Sequence, residues 1–295
     1  MERWQSTYEH RVKINLSESG VHPMTVDELI EISGQDVDVG STLLGYGQSN
    51  GSDELRSLIA GQYAGATDAS VLATVGGAEA NFTCFWHLFE GGAKAAIILP
   101  TYGQVPGLLE SFGSRLSPVH LREEDGWQPD MEALEAALED GASFVLITNP
   151  NNPTGASLTR ESMDRIAELT EKHGAWILAD EVYAGAETSE ERTASFWGSH
   201  ERVLVTNSLS KAYGLPGLRL GWVMGPDALI NELWGRTDYT TIAPASVSDQ
   251  LACVALASGT RDRIGERTRG IVRKNLGVVE QWMAAQDGRF RYQAP

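Results

Sequence analysis

From residue 69 onward the chain alternates short apolar runs with amphipathic stretches, and that alternation leaves few folds open. Val71–Thr74, Ala95–Leu99, Phe144–Thr148, Trp176–Asp180, Val203–Asn207 and Leu220–Met224 read as strands, with Ser117–His120 a weaker seventh. Helical spacing recurs between them near 79–89, 103–112, 130–139, 159–173 and 226–235. Such alternation predicts an α/β fold, with a mostly parallel seven-stranded sheet between helices. Continuous apolar runs such as Ala95-Ala-Ile-Ile-Leu99 fit strands covered on both faces. Ligands of such sheets bind beyond the carboxyl ends of strands, so chemistry is expected in the residues just after each strand.

The flanks are less regular. Residues 1 to about 35 read as an irregular lead-in with one short helix, Val26 to Ile32. Within it, Ile14-Asn-Leu-Ser-Glu-Ser-Gly20 reads as a short strand breaking into a polar loop. Leu44–Gly51 is a glycine-rich loop carrying Tyr46, and Ser52-Asp53 then caps a helix over Glu54–Ala64. After residue 245 helices are expected over Ser246–Ala257 and Asp262–Ala285, followed by a last strand, Arg289–Gln293.

Charge removes whole classes of function. With 23 basic and 40 acidic side chains the net charge is −17, which argues against nucleic-acid binding. No apolar run approaches the roughly 18 residues a membrane span needs. The amino terminus, Met-Glu-Arg-Trp-Gln-Ser, lacks the apolar stretch of a secretion signal. The six histidines show no metal-ligand spacing, so no metal site is expected. Cys84 and Cys253 read as buried thiols that fit a reducing cytoplasm. Any anionic ligand needs a local positive site against this acidic background.

Candidate residues sit where the strands end. After the strand Val203–Asn207 comes Ser208-Leu-Ser-Lys211-Ala-Tyr-Gly-Leu-Pro-Gly-Leu-Arg219-Leu-Gly221. A lysine there is costly to desolvate as a cation, and the glycines let backbone approach a ligand. These residues suggest an amine poised for carbonyl chemistry beside an anion-binding loop, although a strand-to-loop junction alone also accounts for them. Gly76-Gly77-Ala78-Glu79 opens a helix whose free amides suit a phosphate; glycine geometry alone is the other reading. Tyr102 could stack on a flat ligand or simply pack. Asn149-Pro-Asn-Asn152-Pro-Thr-Gly155 makes a turn with amides free to hydrogen bond outward. Asp180 ends an apolar run, so a cationic partner is expected for it, and Tyr183 follows.

A carboxylate, an amine, a guanidinium, a phosphate-type turn and aromatics at one rim are the set that pyridoxal phosphate needs. Asn-Pro-Thr-Gly, Asp-x-x-Tyr and Ser-x-Ser-Lys-x-x-Gly-x-x-Gly-x-Arg stand here in one order. In these motifs the chain resembles the class I/II aminotransferases, fold-type-I pyridoxal-phosphate enzymes, from about residue 12 to its end. The resemblance implies that Lys211 forms a Schiff base with the cofactor and then moves the Cα proton. It implies that Asp180 pairs with the ring nitrogen, that Asn152 and Tyr183 bond the ring oxygen, and that Tyr102 stacks on the ring. Gly77, Ala78, Ser208 and Arg219 would hold the phosphate, with Glu79 in the same turn. Tyr46 would reach the site of a second copy in a homodimer, and the loop Asn15 to Gly20, with Ser19 and Gly20, would close over the substrate.

The same resemblance implies three regions. Residues 1–35 would be an N-terminal segment belonging to a small domain, 36–260 the large cofactor-binding domain, and 261–295 the start of an incomplete α+β small domain. Family members continue for roughly another hundred residues, so the arginine that grips the substrate carboxylate is expected outside this chain. Asp238-Tyr-Thr-Thr-Ile-Ala-Pro244 offers no cation where dicarboxylate-specific relatives place one, which disfavours aspartate as donor. The implied activity is transfer of an amino group from an amino acid to a 2-oxo acid. The alternatives are a lyase, a cyclase of the capreomycidine-synthase kind, which Asn15-Leu-Ser-Glu-Ser-Gly-Val-His-Pro23 resembles, or a truncated inactive chain that still binds cofactor.

Overall fold

The computed structural model describes residues 2–292. Two short helices lead in, α1 (Glu2–Tyr8) and α2 (Val26–Ser33), followed by α3 (Asp53–Ala60). The alternating region then runs β1 (Val71–Thr74), α4 (Gly77–Phe89), β2 (Lys94–Leu99), α5 (Gln104–Ser111), β3 (Arg115–Arg122), β4 (Gln128–Pro129), α6 (Met131–Glu139) and β5 (Phe144–Thr148). It continues with α7 (Arg160–His173), β6 (Trp176–Asp180), β7 (Val203–Ser208), β8 (Gly221–Met224) and α8 (Asp227–Thr237). Two helices close it, α9 (Ser246–Leu256) and the long α10 (Ser258–Ala284).

The strands make one sheet in the order β1-β8-β7-β6-β5-β2-β3-β4. The central pairs β2–β3, β2–β5, β5–β6 and β6–β7 are parallel. β8 runs antiparallel to both β7 and β1, opposing Gly221 to Ser208 on one side and to Thr74 on the other. That reversal matters for function, because it brings the start of β8 to the rim where β1 and β7 end.

Side chains of successive strand residues point to opposite faces, and the core divides accordingly. Val71, Val145, Ile147, Ile177, Val203 and Val205 pack on one face beneath Leu55, Ile59, Leu134, Ile166 and Leu251. Leu72, Leu146, Leu178 and Leu204 face the other way onto Phe85, Phe89, Leu109 and Leu233. The continuous apolar strands therefore sit between two helical layers.

Several expectations are corrected. The sheet has eight strands, because the pair Gln128–Pro129 closes against Leu121–Arg122. Residues 14–20 form no strand: Asn15 Oδ1 accepts from Ser17 N (2.9 Å) and Oγ (2.7 Å), and Glu18 Oε1 accepts from Gly20 N (3.0 Å). Those local bonds satisfy the backbone donors that a ladder would have used. The lead-in holds a helix, α1, that sequence pattern did not suggest. α3 stops at Ala60, where the Gly61 N–H bonds Ser57 O at 2.9 Å, and tighter turns at Gln62 and Tyr63 follow. Residues 289–292 carry no strand, and Gln293 lies outside the described residues. Cys84 is buried, but Cys253 is only partly so.

Candidate active site

Every parallel strand of the sheet's centre delivers a polar group to one rim. After β2 come Thr101 and Tyr102; after β5, the turn Asn149–Gly155; after β6, Tyr183; after β7, Lys211. Asp180 is the last residue of β6 and Ser208 the last of β7.

Lys211 Nζ donates to Ser19 Oγ at 2.9 Å and lies 3.4 Å from Glu18 Oε1. The loop holding those two is tied down at both ends. Gln5 Nε2 donates to Ser17 O at 2.7 Å, and Arg267 donates to His22 O at 3.1 Å. Gly20 lies against the lysine, since a methyl placed on it would meet the Lys211 Cδ at 3.6 Å.

Asp180 accepts from Asn81 Nδ2 (3.0 Å) and from the Val182 amide (3.1 Å). Burial raises its carboxyl above the usual aspartate range, against the pull of those two donors. Among the described residues no cation lies within ion-pair distance of it, so the cationic partner expected for such a carboxylate is not found among them. Asn81 is itself fixed by Thr206 Oγ1, which donates to its Oδ1 at 2.7 Å. Sequence reasoning passed over Asn81. Its signal is a polar residue on the inward face of α4 beside Ala80 and Cys84, one turn past the glycine pair.

The turn after β5 sorts its asparagines. Asn149 Oδ1 accepts from Leu158 N, and Asn151 Oδ1 from Thr154 N and Oγ1, so both hold the turn. Asn152 alone of the three reaches outward, donating to Tyr183 Oη at 3.2 Å. Burial pushes the Tyr183 hydroxyl up, while hydrogen bonds from Ser19 and Asn152 oppose that.

The glycine turn is a backbone cradle. Gly76 has φ 81°, and a methyl there would strike the Arg219 guanidinium. A methyl on Gly221 would lie 2.5 Å from Gly76 C, 2.6 Å from Gly77 N and 2.8 Å from Asn207 O. The amides of Gly77 and Ala78 open α4, where a helix has no internal acceptor to offer them. Ser208 Oγ stands 3.5 Å from the same test position on Gly77. Arg219 is exposed, held in the left-handed region (φ 47°), with its Nη1 on Pro216 O (2.7 Å) and Ser210 Oγ (3.3 Å). Ser210, the second hydroxyl of Ser-x-Ser-Lys, thus joins the group, although the sequence assigned it no role of its own.

Two of the expected residues stand apart from this group. Both Glu79 oxygens are engaged: Oε2 takes the Val75 amide at 2.5 Å, and Oε1 takes the Thr240 and Thr241 hydroxyls at 2.6 and 2.7 Å. Its own amide bonds Gly76 O at 3.2 Å, so Glu79 ties down the turn and is spent there. Tyr46 is 88% exposed, flanked by equally exposed Leu43 and Leu44. Tyr102 is half-buried at the rim.

Known proteins resemble this chain in sequence and fold. The family model described as aminotransferase class I and II matches residues 11–276. Capreomycidine synthase of Streptomyces vinaceus is 30% identical over 298 residues, aligned with all of this chain and 76% of its own length. The chain spans 63%, 64% and 59% of three further aminotransferase relatives. Among solved structures, a PLP-dependent aminotransferase from Streptococcus suis 89-1591 superposes with a TM-score of 0.90 at 31% identity, over 97% of this chain and 76% of that one. The PLP-dependent cyclase OrfR superposes with a TM-score of 0.91 at 26% identity, over 100% and 77%.

Proposed function

The chain belongs to the aminotransferase class I and II family, and from that premise we propose that it moves an amino group from an amino acid to a 2-oxo acid. The observation that carries the reading is the placement of Lys211 and Asp180 at neighbouring strand ends beside the glycine cradle. The family's cofactor is pyridoxal 5'-phosphate, and the residues present fit it. A half-buried carboxylate with only neutral donors suits a protonated ring nitrogen. A turn with no room for a Cβ, open amides and a guanidinium suit a phosphate.

Gly77, Ala78, Ser208 and Arg219 would hold the phosphate, with Ser210 added. Tyr102 would cover the ring face, and Asn152 and Tyr183 would donate to the ring oxygen. Bound there, the cofactor supplies an electrophilic carbonyl and an electron-withdrawing ring. Asp180 holds the proton on the ring nitrogen, and Asn81 orients that carboxylate. Lys211 Nζ is the nucleophile and, once released, the base that moves the proton at the substrate's Cα. The segment 15–20, through Ser19 and Gly20, covers the lysine and limits water at it. Tyr46, with its exposed apolar neighbours, supports a homodimer in which it serves the other copy's site. The regions 1–35 and 261–295 then flank a cofactor platform over 36–260.

Borohydride treatment of protein supplied with cofactor should fix the cofactor's mass on Lys211. Cofactor retention that ignores both Lys211→Ala and Asp180→Ala would sink the assignment. A second reading, cyclisation or elimination on the same cofactor, is favoured by the full-length similarity to capreomycidine synthase and to OrfR. Stoichiometric exchange of amine for oxo acid supports transamination, whereas a cyclised product or released ammonia supports the second reading.

A further inference from the structure

One charged group at the rim has no task in holding the cofactor. Glu18 Oε1 sits 3.4 Å from Lys211 Nζ and accepts the Gly20 amide at 3.0 Å. That amide fixes the carboxylate in place, while its Oε2 makes no hydrogen bond among the described residues. The Glu18 side chain is 53% exposed, so it faces both the lysine and the entrance. Its charge also reaches Tyr183, one of the groups aimed at the cofactor ring. An anchored anion so placed is accounted for by a positive ligand group.

Resting on the reading of Lys211 as the reactive amine, we propose that Glu18 selects amino acids whose side chain ends in a cation, a guanidinium or an ammonium. Oε1 stays on the Gly20 amide and Oε2 receives the cation's N–H groups. When the substrate displaces Lys211, Glu18 loses its own cation and the incoming one replaces it. An acidic side chain would meet this anion at close range and be rejected.

The test uses the Lys211→Ala protein loaded with pyridoxal phosphate, where binding is read by calorimetry without turnover. Arginine is compared with citrulline, and lysine with norleucine, each pair differing in charge at similar length. Arginine or lysine should bind about tenfold more tightly than its neutral counterpart, the effect of one charge-assisted hydrogen bond. Which pair shows the preference identifies guanidinium or ammonium. Adding Glu18→Gln, which keeps an acceptor for Gly20, should bring the ratio close to one, and Glu18→Asp should restore part of it. A ratio near one before that change overturns the proposal. So does a Glu18→Gln variant that weakens charged and neutral ligands alike, since that marks contact with the α-ammonium or a role in loop closure only. Failure of the parent reading shows separately, as absence of the borohydride-fixed cofactor on Lys211 of the unaltered protein.

Discussion

Glu181 carries a pH dependence that can be worked out from its surroundings. It directly follows Asp180, is 3% exposed, and accepts from Ser195 Oγ and Phe196 N, both at 2.8 Å. Burial pushes its pKa from 4.5 up to about 7, and the two hydrogen bonds and Arg192 offset only part of that. Between those values the folded chain keeps a proton that the unfolded chain has released. Stability from this group is therefore fully present below about pH 4.5 and is lost as pH rises through about 7. At about 1.4 kcal/mol for each pH unit of separation, the loss amounts to roughly 3 kcal/mol. Glu181→Gln keeps an acceptor for Ser195 and Phe196 and removes the titration. The variant should match the parent near pH 4 and exceed its stability by roughly 3 kcal/mol near pH 8.5. Urea unfolding of the cofactor-free protein, followed by tryptophan fluorescence, gives the difference. Asp130, Asp140 and Glu135, whose pKa values are lowered by partners, act in the opposite direction at acid pH but cancel between the two proteins. A stability difference that does not grow with pH, or grows in the parent's favour, refutes the reasoning.

Three further outcomes are expected. Gly221→Ala forces a methyl against Gly76, Gly77 and Asn207 backbone atoms and should abolish cofactor retention; Gly217→Ala, with open space around it, should leave retention intact, and a cofactor absorbance titration compares them. Asn81→Leu deprives Asp180 Oδ2 of its side-chain donor and leaves Thr206 Oγ1 without its acceptor, so cofactor affinity should fall about ten- to a hundredfold in the same titration. Glu79→Ala leaves the Val75 amide and the Thr241 hydroxyl without their acceptor and Thr240 with only the Thr237 carbonyl, which should cost about 2–4 kcal/mol in urea unfolding and hasten proteolysis near Tyr239.

What could be read from the sequence was local or periodic. Strands such as Ala95–Leu99 and Phe144–Thr148 announce themselves because both faces are buried, and Lys211, Asp180 and Arg219 because each stands at a strand boundary. What could not be read depends on partners remote in the chain. Asn81 meets Asp180 across 99 residues and Thr206 across 125, and nothing near Asn81 records either. β4 is two residues long and exists only because a hairpin folds it back on β3. The stretch after Ile14 alternates like a strand, yet the side-chain bonds of Asn15 and Glu18 turn it into a loop. Glu79 fell in a phosphate-like motif, but the threonines that engage it lie some 160 residues on.

The direction of β8 explains how a chain of net charge −17 gathers positive groups at one rim. Were β8 parallel to its neighbours, the residue before it would lie at the opposite edge of the sheet. Because it runs antiparallel, Arg219 precedes Gly221 at the rim where β1 ends and α4 begins. The guanidinium and the positive end of the α4 dipole then face one space. That closeness is what excludes a Cβ at Gly76 and at Gly221, so charge and glycine geometry are consequences of one strand reversal. Arg219 accepts a left-handed backbone, a cost of about 1–2 kcal/mol for a residue with a Cβ, to make the turn into β8. Glu79, in the same turn, has both oxygens bonded to Val75, Thr240 and Thr241, so its carboxylate is committed to those donors.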